Sequence, residues 1–150
     1  MIRRVAAAQV PRELLLLADP NWVAVQTYLP TADCYAVWQA ERVVGVVVVA
    51  RLDHRSYEIK NLAIAPDYQH RGWARALLAF VIDDCRRVPN CDTLWIGTGN
   101  SSLRQLDIYQ RAGFEMQTIW VNYFVDNYPE PIYEAGLACK SMVRLCIKTN

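Results

Sequence analysis

Apolar and polar positions alternate with two different periods along this chain, and the changes of period mark its elements. Val5 to Gln9 has the pattern of a first strand. Pro11-Arg12-Glu13 opens a helix, since proline suits the first helical turn. Asp19-Pro20 predicts a second helix start, with Asp19 as N-cap and Pro20 in the first helical position. Trp22, Val25 and Leu29 give that helix an apolar face, and Pro30 ends it. Cys34 to Ala40 and Val43 to Leu52 are consecutive strands, the second rich in β-branched residues, joined by a tight hairpin at Glu41-Arg42. After a turn at Asp53 to Ser56, Tyr57 to Ile64 is a further strand. Arg71 to Arg87 places Leu77, Leu78, Val81 and Ile82 on one helical face. Thr93 to Thr98 is a strand, and Ser101 to Arg111 is a helix closed by Gly113. Phe114 to Val125 and Ser141 to Lys148 are the last two strands.

The order is therefore β-α-α-β-β-β-α-β-α-β-β, an α/β chain of the α+β kind with a mixed sheet and one strand–loop–helix unit at its centre. A length of 150 residues fits a single domain spanning 1–150, with enough apolar surface for a real core. The formal charge of +1 argues against a nucleic-acid binder, which carries a basic excess or stripe. Five cysteines include no C-x-x-C pair, so they predict no zinc or redox motif and read as thiols in a reducing cytosol. Arg3-Arg4 followed by alanines imitates a signal peptide, but Pro11, Arg12 and Glu13 interrupt the apolar run. Val43 to Ala50 is far shorter than the ~20 residues that cross a bilayer. The expectation is a cytoplasmic protein that engages no membrane.

The centre of the chain holds the first candidate chemistry. A strand ends at Ile64, Pro66 turns the chain, and a helix begins near Arg71. Between them lies Gln69-x-x-Gly72-x-Ala74. Backbone N–H groups at a helix start lie at the positive end of its dipole and suit phosphate oxygens. Gly72 lets a ligand approach the backbone, and Arg71 and Arg75 add charge at the rim. The loop is not a Walker loop, because no Gly-Lys-Ser/Thr follows, and it lacks the three-glycine dinucleotide fingerprint. By itself it reads either as an anion site or as a tight turn into a helix.

Leu62-Ala63-Ile64-Ala65-Pro66-x-x-Gln69-x-x-Gly72-x-Ala74 resembles the signature of the GNAT (Gcn5-related N-acetyltransferase) superfamily. A second block agrees: Thr93-Leu94-Trp95-Ile96, then Asn100, then Tyr109-x-x-x-Gly113-Phe114. Gly99-Asn100-Ser101-Ser102, Tyr109-Gln110 and Glu130-Pro131-Ile132-Tyr133-Glu134 resemble a small bacterial subgroup of acetyltransferases, which implies a bacterial source. Where many relatives have alanine after the asparagine, this chain has Leu103.

The resemblance implies the GNAT fold, acetyl-CoA as cosubstrate and no metal. It implies that backbone amides of Arg71, Gly72, Trp73 and Ala74 cradle the pyrophosphate, that Gln69 braces the loop, and that His70 and Arg75 lie at its rim. Leu62, Ala63 and Ile64 would run beside the pantetheine arm on a strand that bulges and splays from the next one. The N–H near Leu62 would bond the thioester carbonyl, and Asn100 the pantetheine amides, with Ser102 beside it. Tyr109 would protonate the leaving thiolate. Glu58 is the candidate base for the incoming amine, with a water relay as the alternative; Glu58 also reads as a strand glutamate paired with Lys60. His54 is a weaker candidate.

The acceptor side is less legible. The connection Asn127 to Glu134 supplies aromatic walls from Tyr128 and Tyr133, with Tyr123 and Phe124 preceding it, and carboxylates from Asp126, Glu130 and Glu134. Aromatic faces with carboxylates suit a cationic amine; a solvated loop stapled by its tyrosines fits equally. The leading expectation is transfer of acetyl to a primary amine, on a small molecule or a peptide, by direct attack in a ternary complex. A CoA-binding sensor without turnover and a protein or peptide acetylase are the alternatives. Family members often form homodimers.

Overall fold

In the computed structural model, which describes residues 1–150, the chain forms two compact units, Met1–Leu94 with Thr149–Asn150, and Trp95–Lys148. In the first, β1 (Ile2–Val5), β2 (Asp33–Gln39), β3 (Arg42–Arg51) and β4 (Ser56–Ile64) lie side by side in chain order, each antiparallel to the next. Val43 to Val49 of β3 are buried without a break, the pattern of a strand covered on both faces rather than of a half-exposed one. The β2–β3 turn is Ala40-Glu41, with φ of 47° and 66°, and Gln39 pairs with Arg42. That is one residue earlier than the expected Glu41-Arg42. A two-residue hairpin needs both loop residues left-handed, which returns Arg42 to the ladder.

The expected strand Val5 to Gln9 is corrected. Only Val5 belongs to β1, and Ala7–Gln9 form a 3-10 turn. The Gln9 side chain accepts the Ala6 N–H at 2.8 Å, a local bond that competes with a strand ladder. The start of the second helix is also corrected. α1 (Arg12–Ala18) forms as expected, but α2 (Trp22–Tyr28) is capped by Asn21, whose Oδ1 accepts the Ala24 N–H at 3.3 Å. Asp19 instead closes α1 and accepts the Asn21 N–H at 3.2 Å. Val25 and Tyr28 are the buried residues of α2.

The two faces of the sheet are distinguished by their partners. A Cβ on Gly45 would lie 2.8 Å from Ile64 Cδ1 and 3.5 Å from Leu77 Cδ1, so the Gly45–Ile64 pair faces α3 (Trp73–Arg87). Asn61 Nδ2 donates to the Leu15 carbonyl at 2.9 Å, so Asn61 and its partner Val48 face α1. α3 buries Leu77, Leu78, Val81 and Ile82, as expected, together with Cys85. It is tied to β2 by the Tyr35 hydroxyl, which donates to Asp84 Oδ2 at 2.9 Å.

The chain enters the second unit within β5 (Thr93–Gly99) and continues through α4 (Leu103–Arg111), β6 (Glu115–Trp120), α5 (Tyr123–Asn127), β7 (Ile132–Glu134), β8 (Leu137–Cys139) and β9 (Met142–Lys148). β9 lies between β5 and β6, and is antiparallel to β6. The expected strand Phe114 to Val125 is cut short. Asn122, at φ 61°, turns the chain into α5, and the Phe124 N–H donates to the Lys140 carbonyl at 2.9 Å. The β7–β8 hairpin was not foreseen, because three-residue strands are too short for alternation to show. Its turn, Ala135-Gly136, has both φ positive, at 50° and 83°. The α/β class is the expected one. All five cysteines are free and buried. No helix is long and apolar enough to cross a membrane.

Burial sets a pH limit on the first unit. The Tyr28 hydroxyl is pushed up to about 12 by desolvation, and burial also raises that of Tyr35, with Asp84 adding to it. An exposed tyrosine ionises near pH ~10. A raised folded-state value contributes stability below the unfolded value that is lost as pH rises through the folded one. Stability should therefore hold to about pH 10 and fall progressively towards pH 12. Phenolate absorbance followed alongside circular dichroism should show these tyrosines ionising only as the fold melts. Full ionisation near pH ~10 in an intact fold would contradict this.

Candidate active site

The strand–loop–helix unit expected from the sequence is present between β4 and α3. The Gln69 side-chain amide donates to the Ile64 carbonyl at 2.9 Å and ties the loop to the end of the strand. Pro66–Tyr68 make a single 3-10 turn. His70 and Gly72 then both take positive φ, 63° and 87°, on either side of Arg71. Left-handed residues alternating with ordinary ones turn successive N–H groups towards one side, forming an anion-binding concavity. Gly72 is the N-cap of α3 and has no side chain with which to cap it. The first helical bond is from the Ala76 N–H to the Gly72 carbonyl, at 3.0 Å. The amides of Trp73, Ala74 and Arg75 therefore have no acceptor within the helix. No atom lies within 4 Å of where a Gly72 Cβ would stand, so the approach to these amides is open.

Cations surround this loop. The Arg71 guanidinium lies 5.1 Å from the Tyr68 ring centroid, and that of Arg42 lies 5.9 Å from the same ring. Tyr68 and Arg42 were not singled out from sequence, because Arg42 is remote in the chain and reaches the loop only by way of β3. These features suit an anionic ligand: amides at a helix start without helical acceptors, an uncrowded glycine, and Arg71 and Arg42 beside Tyr68.

Glu58, Leu62, Ala63 and Ile64 lie on β4, which carries a bulge. Val49 pairs with Ile59 and Val48 with Asn61, leaving Lys60 as the extra residue. Side chains alternate along a strand, so the bulge brings Glu58 and Asn61 to the same face. Glu58 is 6% exposed, and its Oε1 accepts from Lys60 Nζ at 3.1 Å. Lys60 Nζ also lies 5.9 Å from the Tyr28 ring, and Asn61 Nδ2 donates to the Tyr28 hydroxyl at 3.1 Å. A carboxylate, an ammonium, an amide and a phenol thus gather on the α1/α2 side of β4. Tyr28 and Asn61 are members that the sequence did not flag. His54 lies in the exposed β3–β4 turn, where its carbonyl accepts from Arg51.

In the second unit, Tyr109 near the end of α4 is 6% exposed and 6.4 Å from the Phe114 ring. Burial pushes its hydroxyl well above the ordinary tyrosine range, so it stays protonated. Gly113, at φ 109°, closes the helix, and the Phe114 N–H returns to the Tyr109 carbonyl at 3.0 Å. Leu103 is the first residue of α4 and 60% exposed, so it does not alter helix packing. Asn100 and Ser102 follow β5 with their side chains bonded to the segment 134–141. Glu134 is half-buried, while Glu130 and Tyr133, just before that segment, are exposed. Ring centroids of Trp120, Tyr123, Phe124 and Tyr128 follow one another at 5.7, 5.2 and 5.6 Å. Among His, Cys, Asp and Glu side chains, no three converge to hold a metal ion.

Comparison with known proteins places the chain in a family. Residues 8–114 match the acetyltransferase (GNAT) family. The uncharacterized N-acetyltransferase YvbK of Bacillus subtilis is 39% identical over 133 residues, covering 89% of this chain and 85% of that protein. An IAA acetyltransferase from Bacillus cereus superposes with a TM-score of 0.94 at 35% identity, over 99% of this chain and 98% of its own. A GNAT family acetyltransferase from Elizabethkingia anophelis, solved with acetyl-CoA bound, gives 0.94 at 38% identity, over 99% and 97%. The chain belongs to the GNAT family and is an acetyl-CoA-dependent N-acetyltransferase.

Replacing Gly72 isolates the loop. In Gly72→Ala the new methyl meets no atom, but a left-handed alanine costs about 1–2 kcal/mol. Relief of that strain would turn the Trp73 and Ala74 amides away from the concavity. Calorimetry should show CoA binding weakened about tenfold or more, with unfolding shifted by no more than that conformational cost. Unchanged affinity would remove the loop from the binding site.

Proposed function

We propose that the protein transfers the acetyl group of acetyl-CoA to a primary amine by direct attack in a ternary complex. The loop from Gln69 to Arg75 carries this reading. Its outward amides, its left-handed His70 and Gly72, and the nearby guanidiniums of Arg71 and Arg75 suit the pyrophosphate. Leu62, Ala63 and Ile64 line the pantetheine arm. The Leu62 N–H is the donor to the thioester oxygen, a bond that strengthens as charge develops there. Acetyl-CoA supplies the activated acyl group; positioning and that donor account for most of the rate.

Tyr109 is the general acid. A buried, fully protonated phenol supports this role, because it can give up its proton only where the leaving sulfur develops charge. Glu58 is the base, acting on the acceptor ammonium directly or through water. Its burial on the α1/α2 face, with Lys60 Nζ within ion-pair reach at 3.1 Å, supports a carboxylate placed to meet an incoming amine. The aromatic and acidic surface of Tyr123, Phe124, Asp126, Tyr128, Glu130 and Glu134 favours a cationic acceptor. The [ribosomal protein bS18]-alanine N-acetyltransferase of Escherichia coli is 38% identical over 64 residues, so an alanyl peptide belongs in the acceptor panel beside small amines.

Thiol release from acetyl-CoA with this panel tests the reading. Tyr109→Phe should lower turnover by about a hundredfold with CoA affinity unchanged within about twofold. Full activity in that variant would end the acid role. Glu58→Gln should lower kcat/KM by a similar factor, about a hundredfold, again without loss of CoA binding. Wild-type protein that binds CoA tightly yet releases no thiol with any amine would mark a CoA sensor instead.

A further inference from the structure

Asn100, Ser101 and Ser102 leave β5 as three consecutive polar residues, and the family resemblance would make Asn100 and Ser102 ligands of CoA. Their side chains are occupied elsewhere. Asn100 Oδ1 accepts the N–H of Lys140 at 2.8 Å and that of Ser141 at 3.0 Å. Asn100 Nδ2 donates to the Ala138 carbonyl at 3.0 Å. The Asn100 backbone N–H donates to the Ser141 carbonyl at 2.9 Å. An amide oxygen has two lone pairs, and both are used here. The hydroxyls of Ser101 and Ser102 both donate to Glu134 Oε1, at 3.0 and 2.7 Å.

The segment held in this way is residues 122–141, comprising α5 and the β7–β8 hairpin. It is fastened to itself by the Phe124 N–H on the Lys140 carbonyl and by the Asn122 N–H on Ser141 Oγ, at 2.9 and 3.1 Å. Its apolar attachment is partial: Val125, Tyr133 and Leu137 are 56%, 67% and 46% exposed, while Tyr123, Phe124, Tyr128 and Ile132 are half-buried. Cys139 and Phe124 pack where a Gly99 Cβ would be. The polar bonds add to this partial packing the direction that apolar contact lacks. Two of the three stretches that carry the subgroup resemblance, Gly99–Ser102 and Glu130–Glu134, thus bond to each other through Ser101, Ser102 and Glu134.

We propose that Asn100 is a positioning residue, with Glu134 as its second anchor, which fixes the arm 122–141 and does not ligate CoA. The arm carries Tyr123, Phe124 and Tyr128, so Asn100 acts on acetyl transfer, as proposed above, through the acceptor surface rather than through the cosubstrate. Asn100→Ala removes all three side-chain bonds. Asn100→Asp keeps the acceptor for Lys140 and Ser141 but sets a carboxylate oxygen against the Ala138 carbonyl.

Hydrogen exchange and calorimetric titration with CoA test this together. In Asn100→Ala, the amides of residues 122–128 and 138–141 should exchange at least about tenfold faster, with those of α3 unchanged and CoA affinity within about twofold of wild type. Asn100→Asp should restore protection at the Lys140 and Ser141 amides, the two bonds it keeps. Glu134→Ala should speed exchange in β7 and β8, and it gives the same reading where Asn100→Ala does not fold. CoA affinity falling about tenfold in Asn100→Ala, or arm exchange unchanged in both alanine variants, overturns the proposal. Wild-type protein that fails to bind CoA overturns the acetyl-transfer reading instead and leaves the exchange result standing.

Discussion

One inserted residue governs the first unit. Side chains on β4 alternate between the α1 face and the α3 face, and the bulge at Lys60 reverses the phase once. Before it, Glu58 faces α1 and Ile59 faces α3; after it, Asn61 and Ala63 face α1 and Ile64 faces α3. Without the bulge, either Glu58 or Asn61 would be driven into the apolar surface of Leu77 and its neighbours, at a cost of several kcal/mol for an unmatched polar group, about 2–7 by transfer. With it, the Asn61 amide links the Leu15 carbonyl to the Tyr28 hydroxyl and so fastens both α1 and α2 to the sheet. The same phase reversal lets β4 end with Ile64 in the α3 core and its carbonyl free for Gln69.

The loop depends on that ending. Gln69 is worth little as a surface glutamine, but its bond to Ile64 starts the loop from a fixed point. From there His70 can hold left-handed backbone because the segment is pinned at both ends, by β4 and by the helical bond from Ala76 to Gly72, while Gly72 takes its own positive φ freely. Strain of this kind is retained where an arrangement of amides matters more than local comfort. Arg42 and Tyr68 complete the surroundings from elements that the loop itself does not contain.

How far the sequence could be read depended on how local the determining physics was. The long β-branched run of β3, the apolar face of α3 and the Gly113 helix stop were legible because each is set by its own residues. The loop from Gln69 to Ala74 and Tyr109 were legible as motifs. Asp19 misled because it and Asn21 are both good caps, and only the geometry of α1 decides which one is used. The end of β6 was misplaced because an asparagine at positive φ is one of several conformations open to it. Asn61 and Tyr28 were not foreseen because they meet only through the register of β3 with β4 and the packing of α2. The partners of Asn100 were out of view in the same way: they lie some forty residues away, at Ala138, Lys140 and Ser141.

The Ala40-Glu41 turn bears on the protein's history. Its φ angles of 47° and 66° are those that glycine and asparagine adopt with ease, yet neither residue is present. Selection acts on whether a fold clears the threshold its work requires, and improvement beyond that point drifts away. A hairpin with an alanine and a glutamate at such angles gives up stability that glycine or asparagine would return. The turn hands directly on to Arg42, the residue that β3 delivers to Tyr68 of the loop.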